Sequence, residues 1–166
     1  MTSPSVSVEP LSRRQLRSKL MTVRLRLARE PEHPNGSDHY GYAFVAPLDS
    51  RGMLSLSLWR KERARCRVVR FWAGENALFG LLKHRAGGRG GAIWMFDFDP
   101  DRSDDDEIGH RLDIHRFRTG EYVTLEHRGE PHVFRVSSVE EFVPEDRLAP
   151  LATRCPTTAR LKTSAA

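Results

Sequence analysis

The chain has 166 residues, of which 39% are hydrophobic and 30% charged, and a formal net charge of +5 at pH 7. This length suits a single domain with a substantial core. The composition excludes a disulfide framework, because there are only two cysteines, and a membrane-spanning helix, because no run of 18 apolar residues occurs. A cytoplasmic protein in a reducing compartment is therefore expected.

Charge is distributed unevenly along the chain. Residues 1–70 carry 14 Lys and Arg against 6 Asp and Glu, whereas residues 97–109 carry one arginine against seven carboxylates. The basic half can attract nucleic acid or an acidic protein, but it can equally pair with the acidic half of the same molecule.

The chain divides into one core domain and two polar ends. Residues 1–19 are rich in serine, proline and arginine and are predicted to form a flexible basic arm, with at most a short helix over 12–19. Residues 20–147 form the predicted single domain. Residues 148–166 are predicted to be a disordered tail.

Period-two alternation of apolar residues predicts a domain built mainly of antiparallel β-strands. Segment 23–27 alternates valine and leucine with arginine, as in a half-buried strand. Comparable strand signals, separated by turn residues, occur at 40–46, 53–59, 66–72, 92–98, 111–115, 122–127 and 132–139. Segment 74–85 is ambiguous between a short helix and an irregular strand, because Gly80 interrupts a helical spacing.

These signals predict a small antiparallel barrel or sandwich of seven or eight strands, with at most one short helix. The clearest hairpin joins 122–127 to 132–139 through a turn at 128–131. The stretch 117–139, FRTGEYVTLEHRGEPHVFRVSSV, resembles the strand–turn–strand rhythm of SH3-like barrels, with Gly120, Glu121 and Val123 at the step that opens a strand. The whole chain also resembles bacterial proteins without an assigned activity. Neither resemblance implies a functional residue, because one fold hosts many functions.

The first functional signal is a predicted hairpin with a basic tip, formed by strands 53–59 and 66–72. Arginine holds phosphate oxygens with two parallel hydrogen bonds, and an exposed aromatic side chain can stack on a base. Nucleic acid or an acidic protein is therefore the predicted partner, and an ordinary solvated sheet face is the alternative. The candidate ligand-binding residues are Arg60, Lys61, Arg63, Arg65, Arg67, Arg24, Arg26 and Arg89.

An acidic loop supplies the second signal. Seven carboxylates within the eleven residues 97–107 repel one another, and a divalent cation would relieve that repulsion. The pattern departs from a Ca²⁺ loop, which requires glycine where Arg102 stands and a glutamate where Ile108 stands. A solvated loop that docks against the basic hairpin is the alternative. The candidate ligands are Asp97, Asp99, Asp101 and Glu107.

Histidines supply the third signal, since four of them lie within residues 110–132. His127 and His132 end facing strands of the predicted hairpin and could bind Zn²⁺ or Fe²⁺ together with Asp113 or Glu126. Their spacing matches no metal signature, and polar residues are expected at a hairpin end in any case.

No catalytic residue is predicted. The chain lacks a Gly-x-Ser-x-Gly elbow, and Cys66 lies in an alternating strand, where a cysteine is usually an inert core residue. The leading hypothesis is a non-enzymatic binding module. The alternatives are a metal-binding protein or metal-dependent enzyme, and a structural barrel that self-associates into a homo-oligomer.

Overall fold

A computed structural model describes residues 18–87, 92–99, 101, 107–109 and 112–144. Most of the predicted arm and all of the predicted tail lie outside these residues. The described chain forms eight strands, one short α-helix (α1) and one 3₁₀ turn. Their bounds are β1 (Lys19–Leu27), β2 (Ser37–Leu48), α1 (Leu56–Glu62), the 3₁₀ turn (Arg63–Arg65), β3 (Arg67–Phe71), β4 (Leu78–Arg85), β5 (Ile93–Asp97), β6 (Glu107–Gly109), β7 (Tyr122–His127) and β8 (Glu130–Glu141).

The strands form one antiparallel sheet in which each strand pairs with the next along the chain. β1 pairs with both β2 and β8, so the strand order closes into a barrel. This confirms the predicted fold class, an antiparallel barrel or sandwich of seven or eight strands, and the strand pairing makes it a barrel. The strand pairing that closes the barrel is least extensive at β6, which has three residues and a single register pair with β7.

Aromatic side chains fill the barrel. Tyr42 packs against Phe134 and Phe96, with ring centroids 5.1 and 5.3 Å apart, and Phe44 packs against Phe96 at 5.0 Å. All four are buried, and Tyr42 and Phe44 lie two residues apart on one face of β2, as a period-two strand requires. In the described part of the chain, no helix has the length and apolar character needed to cross a membrane.

The predicted strand 53–59 is wrong, because α1 occupies most of it. The Ser55 side chain accepts a hydrogen bond from the Leu58 backbone N–H at 3.3 Å and caps the helix. The indole Nε1–H of Trp59 then donates to the Leu82 carbonyl at 2.8 Å, which fastens α1 to β4. The basic tip is therefore a helix and a 3₁₀ turn that lead into β3, and not a hairpin.

Two further segments differ from prediction. The ambiguous segment 74–85 contains β4, where a Cβ on Gly80 would collide with the backbone carbonyl of Asp97. Glycine is therefore a requirement of close strand packing at this position and not a helix breaker. The predicted strand 111–115 is wrong, because residues 112–114 form a turn, whereas β6 begins at Glu107, the last residue of the predicted acidic loop.

The hairpin of β7 and β8 is confirmed, with a tighter turn than predicted. Arg128 and Gly129 have φ angles of 52° and 80°. Two successive residues at positive φ make a two-residue turn of the primed type, whose twist matches that of the strands it joins. Pro131 therefore lies within β8 and not in the turn.

Candidate functional site

A groove on the outer face of β3 and β4 brings cations and an aromatic ring together. Its lining includes Arg67, Phe79, Leu81 and Lys83, and its volume is about 560 Å³. A second depression of about 310 Å³ shares Leu81 and Lys83 and continues to Arg63. We call the combined surface lined by these five residues the basic groove.

Strand register explains why Phe79 faces outward beside Arg67. Val68 and Leu82 are buried, so their chain neighbours Arg67 and Leu81 point away from the core. Arg67 pairs with Leu81, and Phe79 lies one outward position further along β4. Phe79 is 71% exposed, the largest value among the large exposed apolar side chains in the described part of the chain.

The cations of this region are only partly neutralised. Arg65 forms an ion pair with Glu62 at 3.6 Å, and Lys83 pairs with Asp97. Within the described ranges, five of the predicted ligand-binding residues are exposed and have no ion pair with a carboxylate. These five are Arg24, Arg60, Lys61, Arg63 and Arg67.

The other predicted cations lie elsewhere. Arg24 lies on β1, which is separated from β3 by β2. Register pairing across the sheet leads from Arg24 to Ala43 on β2, then to Val69 on β3 and to Phe79 on β4. Two strand spacings place the backbone of Arg24 roughly 10 Å from β3. Arg26 pairs with Asp38 at 2.6 Å, and Arg89 lies outside the described residues.

Arg70, which belongs to the same basic stretch of sequence, turns into the barrel. Its side chain is 8% exposed and its Nη2 donates to Glu75 Oε2 at 2.7 Å. This inward position follows from the alternation of β3, in which Val68 and Arg70 share the buried face. Arg70 therefore does not contribute to the basic groove.

The acidic loop does not assemble the predicted metal site in the part that is described. Asp97 pairs with Lys83, whereas Asp99 accepts a hydrogen bond from the Asp101 backbone N–H at 3.0 Å. The side chain of Glu107 and residues 102–106 lie outside the description. Among the residues that are described, no group of three or more His, Cys, Asp and Glu side chains could hold a metal ion.

His127 and His132 do lie close together, with ring centroids 6.2 Å apart. Arg70 Nη1 is 3.2 Å from Nδ1 of His127, and because arginine can only donate, this Nδ1 is the acceptor of the contact. Nδ1 of His132 contacts Glu30 Oε1 at 3.0 Å. Trp72, whose ring centroid is 4.6 Å from that of His127, joins both imidazoles in the lining of a cavity of about 290 Å³. The two histidines are thus held by protein partners beside a tryptophan.

Cys66 is a core residue, as predicted. Its side chain is fully buried, and its Sγ–H donates to the Glu62 carbonyl at 3.6 Å. Burial, and then the negative charge of Glu62, raise the pKa of the thiol to about 11. A thiol in this state is a poor nucleophile at neutral pH, because the thiolate is the reactive form.

Sequence reasoning missed Phe79 and Lys83. The alternation Phe79, Leu81, Lys83 is present in the sequence, but Gly80 made the segment look like an interrupted helix. The exposure of Phe79 could not have been read from the pattern, because a phenylalanine at a strand position is usually taken as core.

No protein-family model, curated protein or solved structure matches this chain.

Proposed function

We propose that the protein binds single-stranded nucleic acid in the basic groove. Arg63 and Arg67 contact phosphates, and Phe79 stacks on an unpaired base. The observation that supports this proposal is the exposed ring of Phe79 in the same groove as Arg67, which has no carboxylate partner within the described ranges. A cytoplasmic location remains the expectation from the two cysteines.

The combination of groups favours nucleic acid over an ordinary solvated sheet face. A solvated face needs no exposed phenylalanine, whereas Phe79 lies directly opposite Val69 and adjoins Leu81 on the same face, so the cations flank an apolar strip. Proteins that bind single strands combine a positive groove with aromatic side chains on which bases stack. An acidic protein would satisfy the arginines but would leave Phe79 without a stacking partner.

Phosphate contacts should be visible in the salt dependence of binding. We expect fluorescence anisotropy with a labelled oligothymidylate to show affinity that falls with salt, by a slope of about −0.7 per phosphate contacted. Replacing Arg63 and Arg67 with alanine should therefore make the slope shallower by about 1.4. The matched control is Arg116→Ala with Arg118→Ala, which removes two exposed arginines outside the basic groove. An unchanged slope in the first double variant would contradict the proposal.

Phe79→Ala tests the stacking contact separately from charge. Loss of one stacked base should weaken binding roughly 5- to 150-fold and leave the salt slope as it was. Polyglutamate of similar charge serves as the second probe, since it has no bases. Equal affinity for polyglutamate and the oligonucleotide, with no effect of Phe79→Ala, would indicate an acidic protein partner and refute nucleic-acid binding.

A further inference from the structure

A separate cleft opens where β1 pairs irregularly with both of its neighbours. On the β2 side the register jumps after Arg26, where residues 38–40 have no partner on β1. On the β8 side it jumps after Arg24, where Ser137 has no partner. Irregularities of this kind occur often beside functional sites, because they redirect side chains. The resulting cleft has a volume of about 890 Å³.

Arginines face one another across this cleft. Arg26 on β1 is the register partner of Arg135 on β8, and Arg29 also lines the cleft. Like charges directly opposite each other destabilise a sheet, so the pairing needs compensation. Asp38 compensates Arg26, whereas Arg29 and Arg135 are exposed and have no acidic partner among the residues described. Three arginines and one aspartate leave two positive charges in the cleft.

Tyr122 completes the same face. It is the register partner of Arg135 on the β7 side and is 55% exposed, so its ring lies beside the arginines in the lining of the cleft. Hydroxyl groups of Ser37 and Thr119 also line the cleft. The Ser37 Oγ accepts from the His39 backbone N–H at 3.2 Å, which leaves its own O–H able to donate to a ligand.

We propose that this arginine cleft, lined by Arg26, Arg29, Arg135 and Tyr122, binds a mononucleotide-sized phosphate ester that carries an aromatic ring. A phosphate monoester has a charge of about −1.5 to −2 at neutral pH, which matches the two unbalanced positive charges. Guanidinium groups hold phosphate oxygens through paired hydrogen bonds, and the ligand ring lies against Tyr122. The proposal does not depend on the basic groove, which uses other residues on other strands.

Calorimetry at low ionic strength tests the proposal with four probes: 5′-AMP, ribose 5-phosphate, inorganic phosphate and adenosine. We expect 5′-AMP to bind most tightly, the two other phosphates more weakly, and adenosine not at all. Arg29→Ala with Arg135→Ala should weaken 5′-AMP binding at least tenfold per arginine, because each removes a hydrogen bond between charged groups. Tyr122→Ala should weaken the binding of 5′-AMP alone, roughly fivefold or more, to the affinity measured for ribose 5-phosphate.

Three results would overturn the proposal. The first is a failure of the wild-type protein to bind either 5′-AMP or inorganic phosphate. The second is an unchanged affinity in the Arg29→Ala, Arg135→Ala variant, and the third is equal binding of adenosine and 5′-AMP. All substituted side chains are exposed, so the melting temperature checks that each variant is folded.

The basic-groove variant separates this proposal from the nucleic-acid proposal. Arg63→Ala with Arg67→Ala should bind 5′-AMP as tightly as the wild type while losing oligonucleotide affinity. If the Arg29→Ala, Arg135→Ala variant loses affinity for the oligonucleotide and the wild type binds no mononucleotide, the cleft is an extension of the basic groove and the present proposal is wrong.

Discussion

Cys66 should stay unreactive toward thiol reagents for as long as the barrel is folded. Burial and the Glu62 carboxylate raise the pKa of its thiol from the ordinary 9.0 to about 11. At about pH 8 this shift lowers the thiolate fraction roughly 100-fold, since each pKa unit is a tenfold change. The side chain has no exposed surface, which limits reagent access further. We therefore expect labelling at least about 100-fold slower than in the unfolded chain.

The assay uses the variant Cys155→Ser, so that Cys66 is the only thiol. Its reaction with a disulfide reagent is followed at about pH 8, in buffer and in concentrated guanidinium chloride. A native rate within tenfold of the unfolded rate would refute the reasoning. It would mean that Arg65 and Arg67, the chain neighbours of Cys66, activate an accessible thiolate.

The same thiol predicts a loss of stability in alkaline solution. Below about pH 9 the Cys66 thiol is protonated in both the folded and the unfolded chain. The stability that comes from burying the protonated thiol is then fully present. Between pH 9 and about 11 only the unfolded chain ionises, so the free energy of unfolding falls as pH rises. The total loss is of the order of 2–3 kcal/mol. Tyrosines and lysines ionise in the same pH range, so the prediction is tested on the difference between wild type and Cys66→Ala. The free energy of unfolding of each protein is measured by denaturant titration at several pH values. Parallel curves of this free energy against pH would contradict the prediction.

The remaining predictions concern the fold and are read by chemical denaturation. Gly129→Ala should lower the free energy of unfolding by about 1 kcal/mol. Backbone strain alone accounts for this loss, because φ is 80° and an added Cβ meets nothing within 4 Å. Gly80→Ala should cost more, since its Cβ would strike the Asp97 carbonyl, and equal costs would refute that difference. Phe134→Ala removes a fully buried ring packed against Tyr42 and should cost about 3–5 kcal/mol; a loss below 1 kcal/mol would show that Phe134 is not in the core.

The alternation of apolar and polar residues was sufficient to predict a strand where that strand has one buried and one solvated face. In β1 the valine and leucines at 23, 25 and 27 are buried while Arg24 stays exposed, as the pattern predicts. The hairpin of β7 and β8 was found for the same reason, and the positive-φ glycine at 129 supports its turn. These features depend on residues that are close in sequence.

Segment 53–59 shows where a local pattern is insufficient. Its leucines and serines alternate as a strand would, yet Ser55 also suits a helix N-cap. The choice depends on the hydrogen bond from Trp59 to Leu82 and on the contact of Trp59 with Trp94, whose ring centroid is 5.8 Å away. Both partners of Trp59 lie more than twenty residues away in the chain, so the pattern of segment 53–59 does not include the contacts that favour the helix.

The amino-acid sequence by itself determined the strand-rich class, the surplus of arginine in the first half and the burial of Cys66. Tertiary structure alone decided which cations lie together. Arg70 faces the core while Arg67 faces outward, and Phe79 reaches the groove through the pairing of β3 with β4. The physical reason is that period two specifies the face on which a side chain lies, whereas its neighbours on that face are set by strand pairing between residues distant in the chain.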